Sequence, residues 1–177
     1  MVRECALGLL VAGLVRVSTG AMMAPGVPET PEGLKGQMSA ALAAAKAGDN
    51  EKLGQLVNGF ILPEPEAWFK DVFGDETGAR LAEEYVEVAK RFPPDATKFF
   101  GQMASKEGLE IVVAKLDKAD DKEARGLQRS ALGAMKKPVP LYDVRFVGKD
   151  VRQSVWSFVY HKAAFRFVGK MKRVEAD

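Results

Sequence analysis

The chain has 177 residues, 47% of them hydrophobic and 28% charged, with a formal net charge of +2. That balance fits one folded domain and excludes global disorder, and so small a net charge gives no reason to expect nucleic acid as a partner. One cysteine, Cys5, and one histidine, His161, leave little room for disulfide, thiolate-metal or histidine-triad chemistry.

Residues 1–24 read as a cleavable signal peptide. Arg3 supplies the positive start, and Cys5 to Val15 is an apolar run of eleven residues, short for a membrane span. Ser18, Gly20, Ala21 and Ala24 follow, and Thr19 with Ala21 suits the small-residue cleavage pattern. The expectation is export to the periplasm or beyond. Cys5 lies inside this leader, so the mature chain carries no thiol. Residues 25–31 read as a Pro-rich linker, and residues 32–177 as a single α+β domain.

Helices come first. Thr30-Pro31-Glu32 predicts a helix start with a threonine cap, and Leu34, Met38, Leu42 and Ala45 continue at helical spacing to Gly48. Asp49 predicts the cap of a second helix that ends at Gly59. Pro63-Glu64-Pro65-Glu66 opens a third, with Trp68, Phe69, Val72 and Phe73 on its apolar side and Gly74 as its stop. The fourth, Thr77 to Arg91, carries the stripe Leu81, Tyr85, Val88, Ala89 and Phe92, with Glu83, Glu84 and Glu87 on the wet side. Pro93-Pro94 predicts its end, and Asp95 the cap of a separate short helix with Phe99, Phe100 and Met103.

Strands dominate the rest. Leu109 to Leu116 is short and β-branched in its middle, and Asp120 to Lys136 returns once to helical spacing. Three strands follow, at Val139–Val147, Val151–Tyr160 and Ala164–Lys170. The pentapeptide Arg145-Phe146-Val147-Gly148-Lys149 recurs at Arg166–Lys170, 21 residues on, each copy ending a strand with a glycine at the turn or bulge. Opposing Tyr160 to Phe165 brings Phe158 to Phe167, and a three-residue loop after Val147 adds Tyr142, Val144 and Phe146 to the face of Trp156, Phe158 and Tyr160. The other face holds Asp143, Arg145, Ser157, Arg166 and Lys170 with Val155, Val159 and Val168, and is expected to be at least partly wet. The turn Lys162-Ala163 lacks the Asn-Gly or Asp-Gly of a two-residue hairpin, which predicts a looser loop or local strain.

Several helices followed by an antiparallel sheet, a Trp-x-Phe-Val-x hairpin at Trp156 to Tyr160 and an aromatic-Arg-Phe return strand at Phe165 to Phe167 resemble the cone-shaped NTF2-like α+β superfamily. The resemblance implies N-terminal helices on a curved C-terminal antiparallel sheet of about four strands. It also implies a pocket between helices and concave sheet face, for which Trp68, Tyr85, Tyr142, Trp156 and Tyr160 are the candidate lining residues. That superfamily hosts enzymes such as ketosteroid isomerase, ligand binders and assembly modules, so the fold alone names no chemistry.

No catalytic residue stands out. His161 falls at a hairpin turn, and the carboxylates of Glu83, Glu84 and Glu87 fall on a solvated helix face. Asp117, Asp120 and Asp121 lack the order of a calcium loop, and no metal or other cofactor is expected. Charge is uneven: residues 136–177 hold ten Lys and Arg against four acids, the remainder 16 against 20. Such a basic sheet edge either blocks strand addition, the favoured reading, or meets an anionic surface. The partners expected are a small apolar ligand, an anionic surface, or a second copy through the sheet. The leading reading is a non-enzymatic binding domain; the alternative is an NTF2-like enzyme of isomerase or hydrolase type.

Overall fold

The structure is a computed structural model, described over residues 26–172 and residue 174. The signal-peptide reading of residues 1–24 lies outside the described residues. The elements run α1 (Pro31–Ala47), α2 (Asn50–Asn58), α3 (Pro65–Phe73), α4 (Asp75–Ala104), β1 (Glu110–Leu116), α5 (Gly126–Ala134), β2 (Leu141–Gly148), β3 (Val151–His161) and β4 (Ala164–Phe167). The fold is α+β, with one antiparallel sheet in the order β1-β2-β3-β4.

The caps read from the sequence form as expected. The Thr30 hydroxyl accepts from Gly33 N at 3.1 Å and Asp49 Oδ1 from Lys52 N at 3.0 Å, each satisfying an orphan donor of a first helical turn. Gly48 closes α1 in the left-handed conformation, φ 70°. The residues read as a linker are docked: Val27 N donates to Ala163 O at 3.1 Å, and the Tyr160 hydroxyl donates to Val27 O at 2.7 Å.

Two helices differ from the sequence expectation. The prolines do not end the fourth helix: α4 runs 30 residues with Pro93 and Pro94 inside it. Each proline removes one i→i−4 bond, to the Ala89 and Lys90 carbonyls. The apolar stripe crosses the prolines without a break, from Leu81, Tyr85 and Val88 through Phe92 to Ala96, Phe100 and Met103, so packing on both sides holds the helix continuous. The fifth helix begins at Gly126 rather than Asp120. Asp121 Oδ2 accepts from Asp117 N at 2.6 Å and Lys118 N at 3.1 Å, and this local turn takes donors a helix would need.

Tyr160 pairs with Phe165 and Phe158 with Phe167, the β3–β4 register expected. The β2–β3 hairpin corrects the expected register. It closes on a two-residue turn with Gly148 opposite Val151, and further on Val144 pairs with Val155 but Tyr142 with Phe158. One extra residue is therefore accommodated in β3, a β-bulge that switches the alternation. Val155 consequently lies on the aromatic face, not the opposite one.

The opposite face is only partly wet: Glu110 and Arg152, both paired with Val147 at the hairpin end, are exposed, and the other end is buried. Val159, Val168, Leu116 and Leu141 pack there with Phe69, Val72 and Phe73 of α3, the N-terminal half of α4 and Ala131 of α5. The aromatic face packs Tyr142, Val144, Phe146 and Phe158 against α1, α2 and the C-terminal half of α4. A 30-residue helix spans about 45 Å, long enough to serve one core with each half. Helices thus pack on both faces, and two cores hold the sheet between them.

Candidate functional site

A cleft of about 550 Å³ opens between the middle of α4 and the aromatic face of β3 and β4. Its back is a chain of rings. Phe92 stacks on Phe167 at 4.1 Å, Phe167 meets Phe158 at 5.5 Å, and Phe158 meets Phe60 edge-on at 5.6 Å. Phe99 and Phe100 add to the wall two turns further along α4. The two Phe158 separations are those of favourable aromatic pairs, and Phe92 lies closer still to Phe167, ring on ring. The positions follow from two periodicities: Phe92, Phe99 and Phe100 lie on one helical stripe, and Phe158 and Phe167 are a cross-strand pair.

The mouth is charged. Arg91 and Asp95 reach it from α4, one turn apart, and Lys170 and Lys172 from the segment after β4. Glu84 stands beside them, and its Oε1 accepts from Lys172 N at 3.1 Å. Gly169 brings the two lysines there. It adopts φ 73°, which turns the chain back toward α4, and a Cβ on it would lie 3.5 Å from Val88 Cγ1. The repeated pentapeptide therefore uses its glycine in two ways: Gly148 ends β2 at a tight turn, whereas Gly169 redirects the chain beside the cleft.

The aromatic residues singled out from the sequence are distributed around this cleft rather than gathered in it. Trp68 and Tyr85 belong to the core on the other side of the sheet. There the Tyr85 hydroxyl accepts from Leu62 N at 2.7 Å, and burial pushes its pKa up. Tyr142 and Tyr160 share the sheet face of Phe158, but both turn to Phe165, at 4.8 and 5.2 Å. Tyr142 is fully buried, which raises its hydroxyl pKa. Trp156 lies in β3, and its side chain is outside the described residues. The phenylalanines that line the cleft were legible as members of stripes and strands. The signal that could have joined them is the unbroken stripe across Pro93-Pro94.

A second polar constellation lies on the opposite face. Asp143, 3% exposed, accepts from Gln128 Nε2 at 3.2 Å and has Arg145 Nε at 3.3 Å and Arg125 at 3.9 Å. Gln128 Nε2 also reaches Ser157 Oγ at 3.4 Å, and Gln128 Oε1 accepts from Arg125 N at 3.3 Å. Burial holds the Asp143 carboxyl above its usual range, opposed by Gln128, Arg145 and Arg125. This group anchors α5 to β2 and β3 and points away from the cleft. His161 ends β3 at the hairpin turn, and burial lowers its pKa, helped by Lys162 and Arg166.

Among the described residues, no cluster of three or more His, Cys, Asp or Glu is placed to hold a metal ion. No helix there is long and apolar enough to cross a membrane. Comparisons with protein families, curated proteins and solved structures return no match.

Proposed function

We propose that this chain is an exported, non-enzymatic binding protein on an NTF2-like scaffold, and that it takes a small apolar ligand into the cleft between α4 and the sheet. The observation that carries this reading is the row Phe92–Phe167–Phe158–Phe60 at the back of a cleft of about 550 Å³. That volume lies within the ordinary range for small-molecule sites, and apolar walls with a few polar groups are their usual composition. N-terminal helices followed by a C-terminal antiparallel sheet of four strands, with a cleft between α4 and one sheet face, support the NTF2-like assignment, although helices also pack on the second face. An isomerase-type site needs a carboxylate converging on its pocket. The buried carboxylate of Asp143 is on the other face, and the carboxylates at the cleft, Glu84 and Asp95, are at its mouth. The export part rests on residues 1–24 and is tested by the N-terminus of the protein recovered outside the cytoplasm: a chain still beginning at Met1 removes it.

Binding is tested with the neutral fluorescent probe phenyl-naphthylamine. Saturable enhancement at one site is expected, together with its loss in Val88→Trp, which places a large side chain in the cleft wall. Absence of saturable binding, or equal binding by a folded Val88→Trp variant, overturns the reading.

A further inference from the structure

We infer that the ligand of this cleft is a single-chain amphiphile with an anionic carboxylate head, its apolar part on the phenylalanine row and its head at Arg91, Lys170 and Lys172. The inference rests on the proposed binding role and goes further, because it specifies the chemistry of the ligand's two ends.

Every charged residue that lines the cleft comes from α4 or from the segment after β4, and Gln153 and Ser154 of β3 add uncharged polar groups to the lining. Rings from α4, β3, β4 and the loop after α2 form its back, so an apolar body buries there without leaving a donor unpaired. Its mouth carries three cations and two carboxylates. One of those carboxylates, Glu84, is engaged at the Lys172 backbone N–H. Glu84 and Lys170 each have a partner already, so the surplus positive charge at the mouth is that of Arg91 and Lys172 over Asp95, and it favours an anion. Arg91 strengthens the case for an oxyanion, since a planar guanidinium can present two parallel N–H donors to a carboxylate. The three cations come from two separate elements, α4 and the segment turned by Gly169, so a head group between them would tie the two sides of the mouth together. A volume near 550 Å³ suits one small-molecule body rather than a patch of membrane, which selects a free amphiphile.

The source of specificity is then divided. The ring row supplies apolar burial and tolerates variation in chain length, whereas the mouth selects the head. The three cations are exposed, so their contribution falls with added salt.

Displacement of phenyl-naphthylamine by decanoate, decanol and decylammonium tests this on the full chain. Decanoate is expected to displace the probe at a concentration about tenfold below decanol, the scale of a charge-assisted hydrogen bond, with decylammonium weakest. The double variant Arg91→Gln with Lys172→Gln should erase the decanoate advantage and leave displacement by decanol unchanged. Asp95→Asn should strengthen decanoate binding. All three substituted side chains are exposed, and unchanged circular dichroism confirms that the variants fold. Equal displacement by decanoate and decanol, or preference for decylammonium, overturns the anionic head while leaving the cleft reading intact. Failure of the neutral probe itself to bind overturns the cleft reading.

Discussion

Gln128 and Asp143 meet under α5: the Gln128 amide donates to Asp143 Oδ1 at 3.2 Å in a place where both side chains are nearly fully buried. One residue caps the helix through its other amide atom, and the other belongs to the middle strands of the sheet. The contact therefore fixes where the second helical layer sits. Its cost is a carboxylate taken out of water, and that cost has a measurable pH signature.

Burial raises the folded pKa of Asp143 above its ordinary value of 3.8. Between those two values the folded state binds more protons than the unfolded one, so this residue makes stability rise as pH falls. The sign is opposite to that of a salt-bridged aspartate. The difference in unfolding free energy between wild type and Asp143→Asn should move in favour of wild type on acidification through that window. His161 titrates in both proteins and cancels. Denaturant titrations at several pH values measure the difference; a shift in favour of the asparagine variant on acidification would exclude the assignment.

Tyr85 is 2% exposed and its hydroxyl accepts from the buried Leu62 N. Tyr85→Phe leaves that donor without its partner at the crossing from α2 to α3. A loss of about 1–3 kcal/mol is expected from equilibrium unfolding. A change near zero would mean that Leu62 N finds another acceptor.

The β3–β4 turn is tight and strained, not loose. Lys162 and Ala163 have φ 50° and 60°, the left-handed values of a two-residue hairpin turn, with His161 opposite Ala164. Replacing them by Asn-Gly should stabilise the protein by about 1–2 kcal/mol. The Lys162–Glu64 ion pair is lost in the exchange, but both groups are exposed and the pair weighs little. Thermal unfolding of the double variant decides the matter, with a lower melting temperature as the contrary result.

Pro94 is exposed on α4, and Pro94→Ala restores the N–H that the Lys90 carbonyl lacks. Helix propensity favours alanine by up to about 3 kcal/mol. The greater freedom of the unfolded chain offsets about 0.4–1 kcal/mol of this. A net rise in stability is expected. A net loss would show that the helix needs the proline at this point, where α4 passes from one core to the other.

Much of the architecture was legible from local chemistry. Thr30, Asp49, Gly48 and Gly74 mark helix ends because capping depends on the residue itself and its near neighbours. The pairing of Phe158 with Phe167 and Tyr160 with Phe165 was legible because a strand's faces alternate strictly and one slip would scatter the aromatics. The same strictness misled in β2–β3. A bulge breaks the alternation, and nothing in Val155 to Phe158 announces it without the partner strand.

The site was legible only in pieces. Phe92, Phe99 and Phe100 formed a stripe and Phe158 and Phe167 a pair, but the two prolines suggested that the stripe ended. Propensity charged the helix with two lost hydrogen bonds; it held no record of the two cores that compensate for them. Tyr and Trp drew attention as pocket residues, yet Tyr85 and Tyr160 use their hydroxyls on backbone partners elsewhere.

By itself, the sequence determined the fold class, the helix caps and the outer hairpin register, all set by interactions within a few residues or by period-two alternation, and it left the Lys162-Ala163 turn either loose or strained. Only the tertiary structure decided that α4 runs unbroken through Pro93-Pro94, that helices pack on both sheet faces, and that Arg91, Lys170 and Lys172 line one cleft. Those outcomes depend on contacts between residues far apart in the chain, where the free energy of burial outweighs local preference.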